Sequence, residues 1–226
     1  MDEIIKNSDG TMVARWDLWI EVPVKKLPIY QKQIIEKCRR EWKIVIVATH
    51  LLESMIENPF PTRAESSDVF NATLQKPDCL MLSWESAMGK FPIKSVMMMR
   101  DIIEEAESIG VFENFDYTDI WLRTTDIAPQ LNIKAVVKFT KSGLLARLAS
   151  AYRPNLPVYA FTKFETSKKF TNILYGIQWF HLKEWNQEKY VDNLEKSIQI
   201  LLEKSLISEN DSIIAVTDIQ RNNQEI

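Results

Sequence analysis

The sequence predicts an α/β fold with parallel strands, and three observations carry that prediction. Short apolar runs recur from end to end: Met12–Ala14, Ile44–Ala48, Cys79–Leu82, Ala135–Phe139, Val158–Phe161, Trp179–Leu182 and Ile213–Val216. These runs lack a clean two-residue alternation, which is how strands buried on both faces of a parallel sheet look. Amphipathic helical periods lie between them, so the order is strand then helix, repeated.

Taken in chain order, Met12–Trp19 reads as a buried strand ending in an arginine and an aspartate. Leu27, Tyr30, Ile34, Ile35 and Cys38 share one face of a helix, with Lys25, Lys32, Lys37 and Arg39 away from it. Thr49 follows the strand Ile44–Ala48. Thr62 with Glu65 forms a capping box that opens a helix over 62–74. Pro92 starts another helix, marked by Ile93, Val96, Met97, Ile103 and Ala106, with Met97–Met99 as core filling. The stretch 108–117 lacks a period, which places one domain at 1–110 and a second at 118–226. In the second, Val191, Leu194, Ile198, Leu201 and Leu202 give the clearest helical stripe, and the polar end 221–226 frays.

Composition narrows the classes. A chain of 226 residues suits one large domain or two small ones. With 46% hydrophobic and 26% charged residues it is globular rather than disordered. Lys and Arg number 28 against 31 Asp and Glu, a net charge of -3 that speaks against nucleic acid or an anionic membrane as partner. No apolar run is long enough to cross a bilayer, and no secretory signal opens the chain. Cys38 and Cys79 form no C-x-x-C pair and build no zinc cluster with His50 and His181. The expected compartment is the cytoplasm.

Few single residues point to chemistry. Asp17 stands where parallel folds collect functional groups, at a strand's carboxyl end. It is a candidate ligand for a hard cation such as Mg²⁺, although capping the next helix is its plainer role. Thr49 is a substrate contact or another cap, and His50 a partly buried, satisfied histidine. Thr140–Gly143, T-K-S-G, opens a helix where backbone amides and Lys141 suit a phosphate. An ordinary strand-to-helix turn fits it equally well.

Together the segments are far more specific. S-D-G-T-M-V-A-R-W-D-L-W-I-E-V-P (8–23), A-T-H-L-L-E-S-M-I-E-N-P-F-P-T-R-A-E-S-S-D-V-F-N-A (48–72) and C-L-M-L-S-W-E-S-A-M-G-K-F-P (79–92) resemble pyruvate kinase in order and spacing. F-T-K-S-G and Y-R-P-N-L-P-V-Y-A-F-T, within 139–162, resemble that family's C-terminal domain. The resemblance implies a partial (β/α)8 barrel, its last three β/α units, followed by an α/β three-layer C-terminal domain. By the same resemblance five barrel strands, the inserted lid domain, the catalytic lysine, one metal carboxylate and the K⁺ site lie outside this chain.

The activity so implied is phosphoryl transfer from phosphoenolpyruvate to ADP, giving pyruvate and ATP, with Mg²⁺ and K⁺ as cofactors and a homo-oligomer, a tetramer in the family. Asp17 would be one of two carboxylates on Mg²⁺, and Arg15 would sit beside the phosphate. Trp16 occupies a substrate-binding position, and Thr49 would stand beside the substrate carboxylate and the carbon that is protonated. Thr140, Lys141, Ser142 and Gly143 match an effector-phosphate loop, though Leu144 and Leu145 depart from the polar residues usual after it. Because phosphoryl transfer depends on charge neutralisation, the chain alone is expected to be inactive. The alternative is a non-catalytic module that binds a phosphorylated metabolite through 140–143.

One ratio is abnormal. Glycine numbers 5 and tryptophan 7 in 226 residues, against roughly 7% glycine in ordinary proteins. Trp16, Trp19, Trp42 and Trp84 all stand where the resembled family carries glycine. At 16 an indole would block a backbone-to-substrate approach that tolerates no Cβ. The simplest reading is that UGA codons meaning glycine were translated as tryptophan; a decayed, non-catalytic paralogue is the rival. Trp121, Trp179 and Trp185 read as packing residues.

Overall fold

The computed structural model describes residues 1–109, 132–154, 156–186 and 190–217. Most of the expected linker, Trp121 and the C-terminal 221–226 lie outside them. The chain divides into two compact units, Met1–Asn114 and Phe115–Ile226.

In the first unit three parallel strands, β1 (Gly10–Ala14), β2 (Ile44–Ala48) and β3 (Cys79–Met81), lie in that spatial order. The helices are α1 (Asp2–Lys6), α2 (Arg15–Glu21), α3 (Leu27–Arg40), α4 (Arg63–Leu74), α5 (Trp84–Ala87) and α6 (Pro92–Ser108). Val13, Val45 and Val47 on one sheet face pack against Ile34, Ile35 and Cys38 of α3, with Leu18 of α2 beside them. That is the helix face the periodicity marks, but Arg39, expected away from it with the lysines, is buried as well. The capping box of α4 is complete: Thr62 Oγ1 accepts from the Glu65 N–H, and the Glu65 carboxylate accepts from the Thr62 N–H.

Four expectations change here. β1 stops at Ala14, so Arg15 and Asp17 open a helix instead of ending a strand. Leu18 can reach the α3 cluster only if the chain turns there. β2 is buried except at a partly buried Ile46, whereas Met12 on β1 and Met81 on β3 are exposed, because both strands have a neighbour on one side only among the described residues. On α6 the inward face is Ser95, Met99 and Ala106, with Met98, Ile102 and Ile103 beside it, while Ile93, Val96 and Met97 face outward. The inward spacing 95, 99, 102, 106 follows the helical repeat, and the run of three methionines spans both faces. Cys79 is only partly buried, unlike Cys38.

The second unit is a four-stranded parallel sheet of β4 (Ile133–Phe139), β5 (Val158–Thr162), β6 (Ile177–His181) and β7 (Ser212–Thr217), ordered β6-β5-β4-β7. Its helices are α7 (Leu144–Ala151), α8 (Glu165–Thr171) and α9 (Tyr190–Glu203). Alternate residues of β4 enter opposite cores, as strand geometry requires. Ala135, Val137 and Phe139 join Phe161, Phe180 and Leu201 of α9, whereas Val136 joins Val158, Val216 and Ala149 of α7. Helices therefore cover both faces, the three-layer arrangement. On α9 Leu201 is buried and Val191 is exposed.

The tryptophans separate into two groups. Trp179 is 7% exposed, and the Trp185 ring lies 5.8 Å from that of Phe139 against the core. Trp16, Trp19, Trp42 and Trp84 are 51%, 47%, 42% and 58% exposed. Trp42 also has a φ of 54°, in the left-handed region that a bulky residue adopts only with strain.

Candidate active site

Strand register creates the site. Ala14 pairs with Ala48, and Ala48 with Met81, so the carboxyl ends of the three strands are level. Arg15 and Thr49 are the next residues of neighbouring strands and meet at once. Thr49 Oγ1 accepts a hydrogen bond from the Trp16 N–H at 3.0 Å and donates to the Ala48 carbonyl at 2.7 Å. Asp17 is exposed in the first turn of α2, a position that also suits the helix dipole.

The Arg15 side chain is buried and turned along the rim. Its Nε and Nη2 donate to the Thr49 carbonyl at 2.9 and 2.6 Å, and Nη2 also to the His50 carbonyl at 2.6 Å. Nη1 reaches Asp68 Oδ2 of α4 at 2.7 Å. Thr49 and His50 both have left-handed backbones, with φ of 68° and 52°. Above them the rings of Trp16, Trp19 and His50 form a triangle of edge contacts, with centroids 5.0 to 6.0 Å apart.

Two further carboxylates hold the loop after β2. Glu85, buried at the start of α5, accepts from the N–H groups of Leu52 at 3.1 Å and Ser83 at 2.8 Å. Glu65 accepts from the Ser54 N–H at 2.7 Å and from the Ser54 hydroxyl. Burial by itself would raise the Glu65 carboxyl; the hydrogen bonds from Ser54 and Thr62 outweigh it and leave the group below its ordinary 4.5. Nothing in the local periodicity marks Glu85 or Asp68, and the sequence pattern marks Glu65 only as a cap. The available signal was an acidic residue just after an apolar strand, as in L-S-W-E (82–85).

Among the described residues no group of three or more His, Cys, Asp or Glu could hold a metal ion. Asp17 offers one carboxylate at the mouth, enough for one corner of an octahedral Mg²⁺ and not for a site.

In the second unit, Thr140 is buried and its Oγ1 accepts from the Gly143 N–H at 3.0 Å. Ser167 Oγ donates to the Lys141 carbonyl at 2.8 Å, and Lys141 and Ser142 face outward. Gly143, at φ 85°, takes the left-handed turn into α7, which glycine adopts at no steric cost. The four residues thus form one compact turn whose threonine is already engaged by its own backbone.

A parallel barrel wall with its polar residues at the carboxyl ends of its strands, joined in sequence to a three-layer α/β unit, defines a β/α-barrel protein with an appended domain. Family models agree: residues 1–96 match "Pyruvate kinase, barrel domain" and 119–225 match "Pyruvate kinase, alpha/beta domain". The chain belongs to the pyruvate kinase family.

It is 42% identical over 193 residues to a pyruvate kinase of Clostridium perfringens, covering 77% of this chain and 40% of that protein. It is 37% identical over 235 residues to the chloroplastic pyruvate kinase isozyme A of Nicotiana tabacum, covering 97% and 39%. A crystal structure of a pyruvate kinase from Cryptosporidium parvum superposes with a TM-score of 0.85 at 34% identity, covering 95% of this chain and 46% of that one. The chain therefore spans less than half the length of these relatives. They support the kinase reading over the stand-alone binding module.

Proposed function

We propose that this chain forms part of the phosphoenolpyruvate-binding rim of a pyruvate kinase, which transfers the phosphoryl group to ADP and yields pyruvate. The observation that carries the reading is the Trp16–Thr49 junction: one hydrogen bond holds the start of α2, with Asp17, against the end of β2. Bound Mg²⁺ would neutralise charge on the phosphate, and Asp17 would give it one oxygen.

Thr49 carries the polar contact. Its hydroxyl has a single proton, now on the Ala48 carbonyl, and must rotate off it to donate to a substrate carboxylate. Arg15 belongs to the same rim, and Trp16 places its backbone N–H there while its half-exposed indole lies against the Trp19 and His50 rings. K⁺ and ATP enter the proposal through the family alone. So do a homotetrameric assembly, checked by light scattering, and a cytoplasmic location, checked by fractionation. Effector-phosphate binding at Thr140, Lys141, Ser142 and Gly143 would use exposed Lys141 and Ser142. Among the described residues no helix is long and apolar enough to cross a membrane.

The test is an amide NMR titration of the 226-residue chain with phosphoenolpyruvate and Mg²⁺. Shifts confined to residues 15–18 and 49–50, lost in Asp17→Ala, are expected. Shifts elsewhere, or none at millimolar ligand, would refute the assignment. In a coupled pyruvate-formation assay the chain alone is expected to show no turnover.

A further inference from the structure

Two successive non-glycine residues with left-handed backbones, one of them β-branched, stand at the rim. Each such residue is strained and persists only where the surroundings over-determine it. Left-handed turns at 49 and 50 also swing their carbonyls out of the strand ladder, where they need other donors. A single side chain meets both carbonyls. The Arg15 guanidinium takes the Thr49 oxygen through Nε and Nη2 and the His50 oxygen through Nη2, while Nη1 is held by Asp68.

We infer that Arg15 and Asp68 are a positioning pair that locks the Thr49–His50 turn, and with it the hydroxyl and the Trp16 N–H that face the rim. Arg15 thus acts through Thr49 rather than on a phosphate. All three of its nitrogens are committed within the protein, and its side chain is only 6% exposed. The planar fork suits the task, because it meets two carbonyls and a carboxylate at once through three separate nitrogens in fixed geometry, whereas an ammonium offers a single nitrogen with rotating donors. Asp68 supplies the countercharge that a buried guanidinium requires from the surface of α4, where its own side chain is 40% exposed.

The pair closes a short circuit. Arg15 grips the carbonyl of Thr49, and the next residue's N–H grips the hydroxyl of the same threonine. Moving either partner misplaces both. That this matters for a substrate rests on the proposed function; the lock itself does not.

Amide hydrogen exchange on the whole chain separates the two. In Arg15→Gln the Trp16 amide should exchange at least roughly tenfold faster, while the strand amides of Val13 and Val47 change by less than about twofold, since local opening leaves the sheet intact. Arg15→Lys should resemble Arg15→Gln, and Asp68→Asn should give a smaller rise at the same amide. If Arg15→Gln does not fold, the half-exposed Asp68 decides the matter. Unchanged exchange at Trp16, an equal rise at Val13 and Val47, or full rescue by lysine would each overturn the inference. Wild-type protein that shows the lock but no phosphoenolpyruvate shift at Thr49 would sink the proposed function and leave the pair standing.

Discussion

The N–H of Trp16 donates to Thr49 Oγ1 across 3.0 Å, joining two residues 33 positions apart at the ends of neighbouring strands. Thr49→Val keeps the shape and removes the acceptor. It should destabilise the first unit by about 1 kcal/mol, the usual worth of a partly exposed hydrogen bond, and Thr49→Ser should recover most of that. Urea midpoints followed by circular dichroism give the comparison; equal midpoints for the valine and serine variants would contradict it.

Trp42 combines a left-handed backbone with a largely exposed ring. Trp42→Gly removes the Cβ that makes this conformation costly, so a gain of about 1 kcal/mol is expected even after glycine's greater freedom in the unfolded chain. The buried Trp179 should respond oppositely, with Trp179→Ala losing about 3–5 kcal/mol to the cavity left behind. Thermal melts of the two variants should move in opposite directions.

The same separation sharpens the coding hypothesis. If UGA was read as tryptophan, the gene carries UGA at 16, 19, 42 and 84 and UGG at the core positions 179 and 185. UGG at all six would remove the hypothesis and leave a decayed paralogue as the explanation.

Glu65 makes the first unit sensitive to acid. Its carboxyl lies below its unfolded value because Ser54 and Thr62 bind the charged form more than burial penalises it. A carboxyl depressed in the folded state contributes stability that is fully present above the unfolded value of 4.5. That contribution is lost as pH falls through the lower folded value. Glu65→Gln should therefore lower stability at pH 7 and flatten the stability-pH curve below pH 4.5. A curve parallel to wild type through that range would show that Glu65 is not responsible.

The two units should differ in resistance to protease. β1 and β3, each paired on one side only among the described residues, leave Met12 and Met81 exposed, and such edges invite opening and association. The second unit is built on a strand, β5, that is buried throughout. Limited trypsin digestion should cut residues 1–107 before the sheet of 132–217, and the reverse order would count against this account.

Much was legible in the sequence because it depends on local pattern. All seven apolar runs lie on strands, since a short run of β-branched and large apolar residues leaves a signature in residue type alone, even where β1 and β3 are only partly buried. The α3 stripe and the Thr62–Glu65 box were readable for the same reason: each follows from a spacing of three or four residues. The motif order was enough to suggest the family, which the family models match over 1–96 and 119–225.

What the sequence could not show was where charged side chains end up once strands are placed side by side. Register, not local spacing, puts Arg15 against the carbonyls of Thr49 and His50, brings Asp68 to its far end and buries Glu85 under the Leu52 amide. Those contacts join residues 33 to 53 positions apart, and no periodicity encodes them. The phase of α6 was missed for a related reason, because Met97, Met98 and Met99 are equally apolar and only packing chooses which face turns inward. Residue type thus determined which elements form, and tertiary pairing decided which polar groups meet at their ends.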